Sequence, residues 1–105
     1  MNLDKLQPEG FDWDKWNVEK NVIKHKVSPD ESEEVFFNNP LVEKIPTTKE
    51  QREQRYYALG ITDKRRNLTI IFTIRRKKIR VISARDMSRK ERGHYERRIK
   101  KDSEI

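Results

Sequence analysis

The stretch LTIIFTIRRKKIRVISARD, residues 68–86, decides the fold of this chain. Two runs rich in Ile, Val, Thr and Phe flank four consecutive basic residues, and such runs favour half-buried strands. A tight turn at Arg76-Lys77 places Ile74 opposite Ile79 on the neighbouring strand. The stretch therefore predicts an antiparallel hairpin, and its register determines which side chains share a face.

The alternation of side chains divides this hairpin into two different faces. One face is apolar and is the candidate core: Ile70, Phe72, Ile74, Ile79 and Val81. The other face carries polar and basic groups near the turn and two isoleucines further along: Thr73, Arg75, Lys78, Arg80, Ile71 and Ile82. Opposed cations repel unless an anion lies between them, and a guanidinium group matches phosphate oxygens in pairs. The second face is therefore a candidate phosphate-binding surface, with ordinary solvated strand ends as the alternative.

Elements on both sides of the hairpin complete the predicted fold. Three residues can cap the start of a helix: Asp14, Ser28 and Ser88. A Glu lies three positions after Ser28 and after Ser88, which is the spacing of a capping box. The three helices are predicted to end at about Lys26, Phe37 and Lys101. Weaker strand patterns occupy residues 41–45 and 55–62. The sequence thus predicts an α+β fold with N-terminal helices, an antiparallel three- to four-stranded sheet and a C-terminal helix.

Composition limits the size of the core and the class of protein. The 105 residues are 32% hydrophobic and 41% charged, which suits a single domain with a small core. We expect a flexible N-terminal extension at 1–10, one domain at 11–101 and a frayed C-terminus at 102–105. The chain has no cysteine, which excludes disulfides and thiol chemistry. It has no apolar run long enough for a membrane span and no apolar signal core, so we expect a cytoplasmic protein without a membrane partner.

Charge is distributed unevenly along the chain. The net charge is +7, but residues 55–105 hold 17 Lys/Arg against 6 Asp/Glu, a net charge of +11. Residues 1–54 hold 8 against 12, a net charge of −4. A half of the chain with this much positive charge suits binding to a polyanion. RNA or DNA is the first candidate, and an anionic membrane surface is the second. A solvated charged surface remains the alternative.

Several side chains could take part in cleaving RNA without a metal. That reaction needs a base for the 2′-hydroxyl, cations for the developing charge and an acid for the leaving 5′-oxygen. Candidates for the base and acid, besides the many lysines, are His25, His94, Glu91, Tyr95 and Glu53. We expect His94 to lie on the surface of a charged helix, and packing is the simpler role for Tyr95. The two histidines lack the spacing of a metal site, and no phosphate-loop or dinucleotide motif occurs, so no metal or cofactor is expected.

The order of short motifs over about residues 11–96 resembles the BrnT family of toxins. The matching pieces are Phe11-Asp12-Trp13-Asp14, Asn21, Lys24-His25, Val27-Ser28, Glu34-Val35-Phe36, Asn39-Pro40, Arg55-Tyr56, Ala58, Gly60, Thr73, Arg75, Ile79 to Arg85, Glu91-Arg92 and Tyr95-Glu96. The chain departs from the family pattern at Lys15 and Lys26, and in the hairpin turn, where Arg76 or Lys77 replaces the usual glycine.

The resemblance implies a RelE-like endoribonuclease toxin of a type II toxin–antitoxin pair that inhibits translation and growth. Its partner would be a BrnA-like antitoxin with a DNA-binding domain, in a toxin–antitoxin hetero-oligomer. By position, the catalytic candidates are Arg75, Arg80 and Arg85 for phosphate or transition-state charge, and His25 or Tyr95 for proton transfer. The RNA-binding candidates are Arg55, Lys77, Lys78 and Arg89. A non-catalytic nucleic-acid-binding module and a partner-docking protein remain the alternative functions.

Overall fold

A computed structural model describes residues 2–103 of the chain. Its elements are a short 3-10 helix at Leu3–Leu6, then α1 Lys15–His25, α2 Pro29–Phe37, β1 Leu41–Ile45, β2 Arg55–Ile61, β3 Asn67–Arg75, β4 Lys78–Asp86 and α3 Arg89–Ser103. The strands form one sheet in the order β1-β2-β3-β4, and every neighbouring pair is antiparallel. The predicted α+β class is confirmed, and the sheet, predicted to have three to four antiparallel strands, has four.

Local capping explains where the three helices begin. The Asp14 carboxylate accepts a hydrogen bond from the backbone N–H of Trp16 at 2.8 Å, and Ser28 and Glu31 form a complete capping box. At α3 the Ser88 backbone N–H donates to a Glu91 carboxylate oxygen, and the Glu91 N–H donates to Ser88 Oγ. Each contact satisfies an N–H group that the first helical turn cannot pair internally. The three predicted helix starts are confirmed.

The β3–β4 hairpin has the predicted register around its turn. Ile74 lies opposite Ile79, and the two turn residues have positive φ angles, 54° at Arg76 and 66° at Lys77. Two left-handed residues are typical of the type I′ turn, whose twist suits the flanking strands. The register shifts after Ile71, which pairs with Ser83 instead of Ile82. The unbroken alternation predicted for β4 is therefore wrong at this point, because a β-bulge interrupts it.

The core lies between the apolar face of the sheet and the helices that precede it. Phe72 at its centre is fully buried, stacks on Tyr56 at 5.4 Å between ring centroids and meets the edge of Phe36 at 5.0 Å. Gly60 on β2 allows a close approach to α2, because a Cβ there would lie 2.8 Å from a Val35 methyl carbon. Of the five predicted core residues, four are buried and Ile74 is partly buried against them.

The outer edge of β4 is covered by the chain itself. The Ile79 N–H donates to the Gly10 carbonyl at 2.8 Å, and the Asp12 N–H donates to the Ile79 carbonyl at 2.9 Å. Further along, the Lys20 ammonium donates to the Ile82 carbonyl, and Asn21 accepts from the Ala84 N–H. These contacts occupy groups that an open edge strand would offer to another chain.

The predicted domain boundaries stay predictions. Leu3 and Leu6 of the predicted N-terminal extension pack against the core, and α3 continues to Ser103. Residues 1, 104 and 105 lie outside the described residues. No helix within residues 2–103 is long and apolar enough to cross a membrane.

Candidate active site

The second face of the sheet, which we call the polar face, presents its side chains in rows across the strands. The pairing of the strands defines four rows: Arg75 and Lys78; Arg55, Thr73 and Arg80; Glu43, Tyr57, Ile71 and Ser83; Leu59, Thr69 and Arg85. Residues two apart on one strand are about 7 Å apart on the same face. The basic rows near the hairpin turn therefore lie directly beside the rows that contain Tyr57 and Thr69.

Helix α3 crosses the rows furthest from the turn and forms a cleft with the sheet. Glu91 and His94, three residues apart on one helix face, reach down to Thr69 and Glu43 respectively. The cleft has a volume of about 380 Å³ and is lined by Glu43, Tyr57, Leu59, Thr69, Ile71, Lys90, Glu91 and His94. It combines an apolar floor with several titratable groups, as small-molecule and substrate sites commonly do.

Three side chains from three elements form a hydrogen-bonded chain in this cleft. His94 Nε2 lies 2.7 Å from Glu43 Oε1, and the Tyr57 hydroxyl donates to Glu43 Oε2 at 2.5 Å. The hydrogen bonds from Tyr57 and His94 lower the pKa of Glu43, so its carboxylate is ionised at neutral pH. Burial and the bond to Glu43 raise the pKa of Tyr57 to about 12, so its hydroxyl keeps its proton. Glu43 is thus held through both of its oxygens.

A bidentate ion pair closes the other end of the cleft. Arg85 donates to the two carboxylate oxygens of Glu91 at 2.7 and 2.8 Å, and Thr69 and the Ser88 N–H also donate to this carboxylate. The Arg85 hydrogen bonds are the main reason that the pKa of Glu91 is lowered to about 2. Glu91 is therefore ionised at neutral pH and poorly suited to donate a proton.

The chain's own carboxylates neutralise part of the positive charge of the arginines on the polar face. Arg75 pairs with Glu53 through two nitrogens, at 3.0 and 2.7 Å. Arg80 contacts Asp14 at 2.6 Å and Asp12 at 3.4 Å. A phosphate at either guanidinium group would therefore compete with a carboxylate that is already in place.

The four predicted RNA-binding residues occupy three different places. Arg55 and Lys78 lie on the polar face, and among the described residues neither has a carboxylate within salt-bridge distance. Lys77 is in the hairpin turn, with its ammonium 3.8 Å from Glu9. Arg89 is the exposed first residue of α3, beyond Arg85. The structure thus brings Arg55 and Lys78 together with Arg75 and Arg80.

The two residues predicted for proton transfer lie away from this cleft. His25 ends α1 in a second groove, which it shares with Arg85, Arg66, Lys24, Lys26 and Asp86. Arg66 stabilises that groove by donating to the carbonyls of His25 and Lys26 and to two carboxylates. Tyr95 is only 5% exposed, and burial raises its pKa. It lines another cavity, with Leu41 and Ile99 among its neighbours.

Sequence reasoning missed Glu43 and Tyr57; it named His94 among the acid and base candidates but expected it on the surface of a charged helix. The spacing of Glu91 and His94 on one helix face was a usable signal. The pairing of Glu43 with Tyr57 left no usable signal in the sequence, because a nine-residue connection separates their strands and leaves the register open. Within residues 2–103, no group of three or more His, Cys, Asp or Glu residues is arranged to hold a metal ion.

These features define a class of protein. It is a small basic α+β domain with an arginine-rich sheet face beside a cleft that is lined by titratable side chains. Comparison with known proteins identifies it further. The sequence model of the family described as "Ribonuclease toxin, BrnT, of type II toxin-antitoxin system" matches residues 13–91. The chain belongs to this family, which confirms the resemblance seen in its sequence.

A solved structure supports the same fold. The chain is similar to the Brucella abortus ribonuclease toxin BrnT, whose crystal structure was determined at 1.1 Å, with a TM-score of 0.56 and 24% sequence identity. The match covers 76% of this chain and 97% of the Brucella chain. No curated protein matches the chain. The Brucella toxin therefore shares the α+β architecture described above.

Proposed function

We propose that this chain is a cytoplasmic endoribonuclease toxin that cuts RNA with its own side chains, without a metal, and thereby inhibits translation and growth. The observation that carries the proposal is the polar face, where Arg55, Arg75, Lys78 and Arg80 converge beside a cleft with titratable groups. Membership of a ribonuclease toxin family supports RNA as the polyanion.

The proposed reaction is attack of the ribose 2′-hydroxyl on the adjacent phosphorus. Arg75, Arg80 and Arg85 would bind phosphate or stabilise the charge that develops on it, as fixed cations do in other active sites. For proton transfer, the sequence left His25 and Tyr95 as candidates. His25 shares a groove with Arg85 and therefore stays a candidate, whereas the burial of Tyr95 speaks against direct contact with RNA.

Expression of the chain alone tests the function. We expect growth arrest with loss of intact RNA, and cleavage of purified RNA by the purified protein that persists in excess chelator. Arg55→Ala with Lys78→Ala should weaken cleavage, whereas Lys5→Ala with Lys64→Ala, at two exposed lysines outside the rows of the polar face, serves as a matched charge control. If the folded protein bound RNA with a steep salt dependence but never cut it, the non-catalytic binding module would replace this proposal.

We also propose a BrnA-like antitoxin as the neutralising partner. Support comes from α1, where Trp16 and Ile23 are 73% and 76% exposed and lie seven residues apart on one helix face. Exposed apolar stripes of this kind mark protein interaction sites. Lys20 and Lys24 beside the stripe suit an amphipathic partner segment with acidic flanks.

A paired substitution separates neutralisation from cleavage. Trp16→Ser with Ile23→Ser should leave folding and RNA cleavage intact but weaken neutralisation by the antitoxin at least tenfold. Phe37→Ser, an equally exposed apolar residue on α2, is the matched control. Unchanged neutralisation of the double variant would exclude this stripe as the docking surface and leave the basic polar face as the alternative.

A further inference from the structure

We propose that His94 is the general base that takes the 2′-hydroxyl proton, and that Glu43 and Tyr57 are positioning residues which hold its imidazole. The inference deepens the proposed ribonuclease function and rests on it. It starts from the chain of hydrogen bonds that runs from α3 through β1 to β2: His94 Nε2 to Glu43 Oε1 at 2.7 Å, and Glu43 Oε2 to the Tyr57 hydroxyl at 2.5 Å.

The Glu43 carboxylate determines which imidazole nitrogen can act as a base. An ionised carboxylate can only accept hydrogen bonds, so Nε2 of a neutral His94 carries the proton and Nδ1 keeps its lone pair. Tyr57 holds the second oxygen of Glu43 and prevents the carboxylate from rotating away. A base oriented by a carboxylate is the arrangement that hydrolytic triads use. The His94 side chain is 41% exposed and lines the cleft.

The position of His94, Glu43 and Tyr57 relative to the basic rows suits the reaction. Tyr57 lies two residues from Arg55 on β2, about 7 Å along the same face. A phosphate bound by Arg55 would therefore lie near the mouth of the cleft that His94 lines. The ribose attached to that phosphate could then enter the cleft. Glu91, the other acidic group facing His94 from its own helix, is fixed by Arg85 and is not available as a base.

The step conserves atoms and charge. His94 Nδ1 takes the 2′-hydroxyl proton as the 2′-oxygen forms a bond to phosphorus, and the bond from phosphorus to the 5′-oxygen breaks. The leaving 5′-oxygen takes a proton from water. The hydroxide that remains is neutralised by the proton that His94 later releases. The products are a 2′,3′-cyclic phosphate and a 5′-hydroxyl end.

The test measures cleavage of a defined RNA oligonucleotide by the purified full-length chain. His94→Gln, which can keep a hydrogen bond to Glu43 but cannot act as a base, should lower kcat on the order of 100-fold to 10,000-fold with little change in KM. His94→Ala should lose a similar amount and regain part of it when free imidazole is added. Glu43→Gln and Tyr57→Phe should lower kcat by at least about 10-fold, again without raising KM, because each removes a group that orients the base.

Controls separate the possible failures. Glu96→Gln on the outer side of α3 should cleave like the unmodified chain, and thermal melting should show that every variant is folded. If the unmodified chain cleaves no RNA, the proposed function itself fails. If it cleaves and His94→Gln keeps the full rate, only the assignment of His94 is overturned. A loss confined to His25→Ala, made in parallel, would also overturn it and place the base in the second groove.

Discussion

Replacing Glu91 with glutamine should expose how much the ion pair with Arg85 stabilises the fold. The Glu91 carboxylate accepts from both Arg85 nitrogens, from the Thr69 hydroxyl and from the Ser88 N–H. It therefore connects α3 to β3 and to the end of β4. A glutamine keeps nearly the same shape and can satisfy some of these donors, but it removes the charge.

The lowered pKa of Glu91 sets the size of the expected loss in unfolding free energy. A pKa of about 2 in the folded chain, against an ordinary value of 4.5, corresponds to about 3 kcal/mol of stability at neutral pH. The Glu91 and Arg85 side chains are 27% and 37% exposed, so water replaces part of the lost interaction. We expect Glu91→Gln to cost about 2 kcal/mol, which lowers Tm by roughly 8–16 °C.

The dependence on pH gives the sharper test. Because the folded pKa is depressed, the contribution is fully present above pH 4.5 and is lost as the pH falls towards 2. The difference in unfolding free energy between the unmodified chain and Glu91→Gln, measured by urea denaturation, should shrink to roughly half by pH 3. Glu96→Gln, whose pair with Arg92 is about 60% exposed, should differ by less than about 0.5 kcal/mol throughout. A difference that stays constant from pH 7 to pH 3 would refute the electrostatic reasoning.

Three further substitutions test the fold by urea denaturation at neutral pH. Lys77→Gly, at φ 66° in the hairpin turn, should stabilise the chain by about 0.5–1 kcal/mol; a loss would contradict the left-handed turn. Phe72→Ala should cost about 3–5 kcal/mol because it opens a cavity between Tyr56 and Phe36, and a cost below about 1 would contradict a packed core. Gly60→Ala should cost about 1–3 kcal/mol because its methyl would overlap Val35, whereas a neutral effect would show that α2 moves freely.

Most of the fold could be predicted from the sequence because the signals are local. The Asp14 and Ser28 caps each depend on residues within one helical turn, and the β3–β4 register depends on a two-residue turn. The bulge at Ile82 could not be predicted in the same way. It lies where β4 meets α1, beside the hydrogen bonds from Lys20 to Ile82 and from Ala84 to Asn21, and these α1 residues are more than 60 residues away in sequence.

The candidate site was harder to predict because its contacts are mostly between distant segments. Between the turn and the bulge, the polar face of the hairpin followed from alternation alone. Its counterions did not, since Asp12, Asp14 and Glu53 reach Arg80 and Arg75 from segments 22–68 residues away. Sequence patterns indicate which residues share an element's face, but they do not reveal which carboxylate will lie above it.

The carboxylates that pair with Arg75, Arg80 and Arg85 differ in how easily a phosphate could displace them. This difference ranks the three arginines as phosphate ligands. The Arg75–Glu53 pair is more than 40% exposed on both sides, and exposed pairs contribute about 0–1 kcal/mol, so phosphate can displace Glu53 at little cost. Arg80 is less exposed and holds two carboxylates, so its exchange costs more. Displacing Glu91 from Arg85 would also release the Thr69 hydroxyl and the Ser88 N–H that begins α3. Under the proposed function we therefore expect the RNA backbone to bind most readily at Arg75 with Arg55 and Lys78, whereas Arg85 would first have to release the carboxylate of the helix that carries His94.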